Sequence, residues 1–190
     1  SRGLGDVYKR QSLTSTAGSI TDSDTSSDAS ANLIAAQITL ESANGIGASG
    51  SGDLDTTAST LISSVTGSGN IFITDSAAVS VGATSTGSGD ITIGTSDGIL
   101  TVSGTVNSSS GNLALTGDDG VTHTATGDLS TGGSGGVTVV ASAGDVTMVD
   151  GTTYTAAGGT VSVTGASNVA LGQIVNCLLY TSPSPRDSRR

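Results

Sequence analysis

The feature that most constrains this chain is a short pattern, Gly-x-apolar-x-apolar, that recurs at Gly69 (GNIFI), Gly89 (GDITI), Gly111 (GNLAL), Gly135 (GGVTV) and Gly159 (GTVSV). The spacing between successive copies, about 20–24 residues, is that of a structural repeat. Apolar residues two apart, as in Ile71/Ile73, Ile91/Ile93, Leu113/Leu115, Val137/Val139 and Val161/Val163, project to one face of a strand, so the pattern predicts strands and disfavours helices. A weaker doublet falls between copies at Val79/Val81, Leu100/Val102, Val146/Met148 and Val169/Leu171, which gives each repeat two or three short strands. A unit this short cannot bury its apolar face until neighbours stack on it. The expected fold is therefore all-β, a parallel β-helix (β-solenoid) with rungs of about 20–24 residues. About seven rungs, each ~4.8 Å from the next, would make a rod about 30 Å long.

Composition supports a narrow stacked core. Residues 12–176 contain no Pro and no Cys, and Phe72 and Tyr154 are their only aromatics. A globular sandwich of that length anchors its core on several large aromatic side chains. A column of Val, Ile and Leu stacked rung on rung does not need them. Leu, Ile, Val and Phe fill 37 of those 165 positions, just above the ~20% below which a charged chain stays unfolded. The periodic placement therefore carries the expectation of folding. Residues 12–66 keep the period less clearly. They hold candidate strands at Leu33–Leu40 and Leu61–Val65, and Ala31–Ala36 is the one stretch suited to a short helical turn. The abundant Gly is expected at corners that require positive φ.

The two ends differ from the interior. All six basic residues (Arg2, Lys9, Arg10, Arg186, Arg189 and Arg190), both prolines (Pro183, Pro185) and Cys177 lie within residues 1–11 or 177–190. The first eleven residues, SRGLGDVYKRQ, can be encoded by a DNA sequence whose reverse complement, read from its second base, translates as CLLYTSPSPRD, residues 177–187. That sequence resembles a transposon mosaic-end adapter used to prepare sequencing libraries, including metagenomic ones. Residues 1–11 and 177–190 are accordingly expected to be adapter-derived and non-native, packing little, with residues 12–176 an internal solenoid fragment of a longer chain.

The whole chain carries a net charge of -10, and residues 12–176 hold 14 acidic and no basic side chains. Binding to nucleic acid or to an anionic membrane surface is therefore not expected, because both require clustered Lys and Arg. The sequence contains no apolar run of the roughly 18 residues that a spanning helix needs, so membrane insertion is not expected either.

Catalytic constellations are weak, no catalytic, cofactor-binding or metal residue is assigned, and the chain is not expected to be an enzyme. His123, the only histidine, lies in VTHTAT on the face of Val121 and Ala125 with no nucleophile elbow beside it, and reads as a strand or corner residue. Asp53 and Asp55 are two apart in GDLDT and could share a face as a glycosidase pair does, but such pairs normally face each other across a cleft from different elements. Cofactors are expected to be absent, with calcium the alternative, since oxygen-rich loops suit a hard cation. The candidate carboxylates are Asp22, Asp24 and Asp28 in DSDTSSD and Asp118 with Asp119 in TGDDG. Their competing role is that of turn residues bonded to local backbone N–H groups. A partial glycine-rich calcium nonapeptide at Gly132–Gly136 has Val137 where an aspartate belongs, and Gly87–Ile91 lacks the spacing. Asn107-Ser108-Ser109 fits a glycosylation sequon that is given no role. Alternating threonines at Thr122, Thr124 and Thr126 would suit an ice-binding face only if they recurred at the same place on each rung, which the spacing does not suggest.

Residues 37–61 (QITLESANGIGASGSGDLDTTASTL) and 67–93 (GSGNIFITDSAAVSVGATSTGSGDITI) resemble the β-helical repeat regions of filamentous haemagglutinin-like adhesins and autotransporter-type bacterial surface proteins. The resemblance covers most of the interior and implies a right-handed parallel β-helix that holds binding elements away from the cell. It transfers no binding residue. The function expected from it is a non-catalytic structural and adhesive segment of a large secreted or surface-exposed adhesin, located extracellularly at the bacterial cell surface. Its partner would be a host or neighbouring cell surface, through a glycan or protein ligand. End-to-end self-association of the fragment is expected as well, because cut rungs expose unpaired backbone and apolar cross-section. The alternative is a calcium-dependent extracellular binding module with acidic loops.

Overall fold

The computed structural model describes residues 9–23 and 30–176. These residues form nineteen strands and no helix. The first six are β1 (Arg10–Ser15), β2 (Ser19–Ile20), β3 (Leu33–Ser42), β4 (Gly45–Ile46), β5 (Leu54–Val65) and β6 (Ile71–Asp75). Next come β7 (Val79–Thr86), β8 (Ile91–Thr95), β9 (Ile99–Val102), β10 (Val106–Ser108), β11 (Leu113–Gly117), β12 (Gly120–His123) and β13 (Leu129–Thr131). The last are β14 (Val137–Ala141), β15 (Val146–Thr147), β16 (Thr153–Ala156), β17 (Val161–Gly165), β18 (Val169–Ala170) and β19 (Gln173–Asn176).

Every pairing between these strands is parallel, and nearly all join a strand to its equivalent one turn on. The result is a β-solenoid of about seven turns with three faces. The first face stacks β2, β4, β6, β8, β11, β14 and β17. The second stacks the start of β7 on β9, β12, β15 and β18. The third stacks the end of β7 on β10, β13, β16 and β19. In the lower turns β3 and β5 are 10 and 12 residues long and serve both the second and third faces, and β5 begins on the first face, where Leu54–Thr56 pair with Ile73–Asp75 of β6.

The core is a set of columns. Ile71, Ile91, Leu113, Val137 and Val161 are in register, as are Ile73, Ile93, Leu115, Val139 and Val163. All are buried except Val161 and Val163, which are half-buried on the last turn. The weaker doublets form a second pair of columns, Val79–Leu100–Val121–Val146 and Val81–Val102–His123. The third strand of each turn escaped the sequence pattern because its inward residues are mixed: Thr84, Val106, Leu129 and Tyr154 stand in one column. Residues 31–36 do not form a helical turn. Ile34 and Ala35 belong to β3, opposite Thr57 and Ala58, because pairing with the next turn outweighs a weak local preference. The candidate strand at Leu61–Val65 is the second half of β5.

Several glycines have the positive φ expected at corners, but the glycine that opens each repeat serves another purpose. Gly69, Gly89, Gly111, Gly135 and Gly159 do not have positive φ; that conformation occurs elsewhere, as at Gly98 (81°) and Gly144 (70°). They stack directly on one another at a corner. A Cβ on Gly89, Gly111, Gly135 or Gly159 would lie 2.1, 2.0, 2.2 or 2.1 Å from the carbonyl oxygen of the repeat glycine one turn below. Only a hydrogen fits between those backbones.

Polar groups complete the same corner. Beside the glycines, the Asn70 Oδ1 accepts from the Asp90 N–H (2.8 Å), the Asp90 carboxylate from the Asn112 N–H (2.7 Å), and the Asn112 Oδ1 from the Gly136 N–H (3.0 Å). Inside it, the hydroxyls of Thr86, Ser108 and Thr131 donate to the carbonyls of Gly69, Gly89 and Gly111 at 2.6, 2.8 and 2.6 Å. Buried backbone oxygens that the ladders leave over are thereby satisfied.

Of the segments expected to be adapter-derived, residues 1–8 and 177–190 lie outside the described residues. Arg10 and Gln11 begin β1, opposite Gln37 and Ile38.

Replacement of Gly111 by Ala is expected to lower stability by at least about 2 kcal/mol, or about 4–8 °C in Tm for a chain of this size. At Gly94 a Cβ meets only ordinary contacts at 3.6 and 4.0 Å, so Gly94→Ala should leave the thermal midpoint unchanged or slightly raised. Thermal unfolding followed by circular dichroism compares the two.

Candidate functional site

His123 enters the core at the end of β12, inward like Val121, while Ala125 lies past the strand and is exposed. Its Nδ1 is 2.7 Å from the Gly127 carbonyl and its Nε2 is 2.5 Å from the Tyr154 hydroxyl, which β16 delivers from the third face. A carbonyl can only accept, so Nδ1 carries the proton and the bare Nε2 accepts from the Tyr154 O–H. The rings are 5.1 Å apart at a tilt of 59°. Burial holds the imidazole below its ordinary 6.5, opposed by the Gly127 hydrogen bond and by the negative charge of Asp128. Burial likewise pushes the Tyr154 hydroxyl well above its ordinary value. The pair is thus a closed, neutral polar link across the core, and sequence reasoning missed the partnership because the two residues are 31 positions apart.

Asp75, fully buried at the end of β6, is a polar group the sequence did not single out. Its carboxylate accepts from the Thr56 hydroxyl (2.7 Å) and from the N–H groups of Ala58 (2.9 Å) and Ala77 (3.1 Å). Burial nevertheless raises its pKa above the ordinary 3.8, outweighing these hydrogen bonds. The carboxylate closes the corner where β5 leaves the first face. The TD that ends Phe72-Ile73-Thr74-Asp75 reads as an ordinary turn, so no local signal reveals it.

Asp53 and Asp55 are half-exposed on the outer surface; Asp53 accepts a hydrogen bond from the Thr74 hydroxyl, and the Asp55 N–H donates to Asn32 Oδ1 at 2.8 Å. Asp118 and Asp119 occupy the turn between β11 and β12, where the Asp118 N–H donates to the Thr95 hydroxyl. Asp22 accepts from the Asn32 amide at 3.1 Å, whereas Asp24 and Asp28 lie outside the described residues. Among the described residues, no three His, Cys, Asp or Glu side chains are grouped to hold a metal ion. Of the partial nonapeptide, Gly135 is one of the stacked corner glycines and Val137 is a core residue of β14.

One expectation about the threonines is corrected. Thr122 does occupy a repeated place: Thr60, Ser80, Thr101, Thr122 and Thr147 are paired in sequence along the outside of the second face. The Thr101 and Thr122 hydroxyls are 3.1 Å apart. Loops of unequal length between strands concealed this register. Thr124 and Thr126 fall outside the strand, and the Thr126 hydroxyl donates to the Ser103 carbonyl.

The His123 link gives stability a defined pH dependence. Between the lowered folded value and 6.5, the unfolded chain binds the proton that the folded chain refuses, so the contribution of His123 is fully present above about pH 6.5 and declines as pH falls through that window. Asp75 acts in the opposite sense: its raised value favours the folded chain below 3.8, and that contribution is lost as pH rises through the folded value. His123→Gln is expected to flatten the decline below about pH 6.5, as read by urea midpoints across a pH series. An unchanged slope would assign the decline to other groups.

Compared with protein-family models, with curated proteins and with solved structures, the chain matches none.

Proposed function

We propose that the chain is a structural and adhesive segment of a large surface-exposed bacterial protein, acting without catalysis. The observation that carries this reading is the register. One outward column repeats its hydroxyls turn after turn, from Thr60 to Thr147, which suits a stiff spacer that also presents a repetitive surface. Its acidic, Lys- and Arg-free interior sequence would keep such a rod apart from anionic surfaces. Sequencing the genomic DNA on both sides of the coding segment tests the proposal. Further rungs of about 20–24 residues together with an export signal are the expected result, and an intracellular catalytic domain in the same reading frame would overturn it.

Calcium-dependent ordering is the alternative, through turns such as Asp118-Asp119. Calorimetric titration separates the two: weak, non-saturating uptake favours the spacer, and saturable micromolar binding with a fixed stoichiometry favours the metal-dependent module.

Self-association accompanies the proposal. Val169, Leu171 and Ile174 on the last described turn are 41%, 54% and 40% exposed, while Val146, Met148 and Tyr154, one turn below, are 0%, 5% and 0% exposed. No described residue covers β19, and its edge offers the same parallel pairing that joins it to β16. The apparent mass in sedimentation is expected to rise with protein concentration and with salt, which screens the net charge. Ile174→Asp should suppress the rise, and Ile34→Asp, on the side of the rod, should not.

A further inference from the structure

Phe72 departs from the repeat on the first face, beside the excursion of residues 47–53 between Ile46 and Leu54. Its outward place on the first face is taken by Thr92, Ala114, Thr138 and Ser162 on the following turns, and Phe72 is half-exposed there. It lines a shallow groove of about 400 Å³ that crosses three turns, from Ser19 through Gly45 to Phe72. One wall is the Gly47–Ser49 loop, which lies so close to β6 that a Cβ on Gly47 would be 2.3 Å from the Phe72 carbonyl oxygen.

Two amides flank the groove, each held by one end. Asn44 donates its Nδ2 to the Ala17 carbonyl at 3.0 Å, and Asn70 uses its Oδ1 to accept from the Asp90 N–H at 2.8 Å. These bonds leave the Asn44 oxygen as an acceptor and the Asn70 amide nitrogen as a donor on two lining residues. The remaining polar groups of the lining are hydroxyls such as those of Thr21 and Ser49, and no lining residue is charged although the chain as a whole is strongly acidic.

We infer that this groove is a binding site for a neutral oligosaccharide. A pyranose ring has an apolar C–H face that an aromatic side chain covers, and a rim of hydroxyls that amides and hydroxyls bond in both directions. An anionic ligand would be repelled by the chain's net charge of -10, and a cationic one would find no carboxylate in the lining. An open groove along stacked turns, rather than an enclosed pocket, admits an extended chain of sugars. The inference rests on the adhesive reading and names the class of ligand that reading leaves open.

The test is titration of the whole 190-residue chain, followed by amide chemical shifts in nuclear magnetic resonance, with cellohexaose, chitohexaose and maltohexaose. Saturable binding of at least one hexasaccharide is expected, with shifts clustered at residues 44–49 and 68–72. Phe72→Ala should weaken it about tenfold and Phe72→Tyr should preserve it. If Phe72→Ala does not fold, the shift map of the unsubstituted chain decides. Failure of all three sugars to saturate, shifts clustered elsewhere, or full affinity in folded Phe72→Ala would each overturn the site. Such a failure would leave the flanking-gene test untouched, so the two proposals fall separately.

Discussion

The close approach of backbones at the glycine corner is the constraint on which the rest of this solenoid depends. Parallel strands pair at about 4.8 Å, and that spacing must hold at the bends as well as along the flat faces. At the repeat glycines a side chain would meet the carbonyl of the turn below at 2.0–2.2 Å. Once the corner closes at that distance, Ile71 is brought over Ile91, Leu113 and Val137, and the apolar columns stack without gaps. A bulkier corner would lift one turn off the next and open every column at once. The flanking Asn70–Asp90–Asn112 chain and the inner Thr86, Ser108 and Thr131 hydroxyls hold the same bend through groups that would otherwise be unsatisfied.

Within this frame the core is apolar but not uniform. His123 stands in a column headed by Val81 and Val102, and Tyr154 in one with Val106 and Leu129. Each would be an unpaired polar group by itself, at a cost of several kcal/mol in such surroundings. Together they satisfy each other across two faces, with Gly127 closing the far end. Asp75 meets the same demand with three donors at a corner. Such links tie particular turns to particular neighbours in a molecule whose repeats are otherwise similar enough to slip by one turn.

The outer surface divides by chemistry as well as by face. The second face presents an unbroken series of hydroxyls from Thr60 to Thr147, while the first carries small residues above Phe72 and its neutral groove. A solenoid keeps these surfaces independent, since an outward residue contributes little to the core and can vary without disturbing the stack. The fold thus leaves the chemistry of each outer face to a few outward positions.

The sequence by itself determined the strand class, the repeat period, the two stronger inward columns and the approximate number of turns, because alternation and spacing are local properties that a stacked fold must obey. Ile71/Ile73 and their successors were legible for that reason. The third strand of each turn was not, since Thr84, Val106, Leu129 and Tyr154 share a column without sharing a chemistry. Only the tertiary structure decided that the repeat glycines serve close approach rather than positive φ, that residues 33–36 extend a strand, and that Thr122 belongs to a five-turn series. It alone brought His123 to Tyr154 and Asn44 to Phe72. Each of these depends on which residues lie one turn apart, and turns of unequal length remove that register from any fixed spacing along the chain.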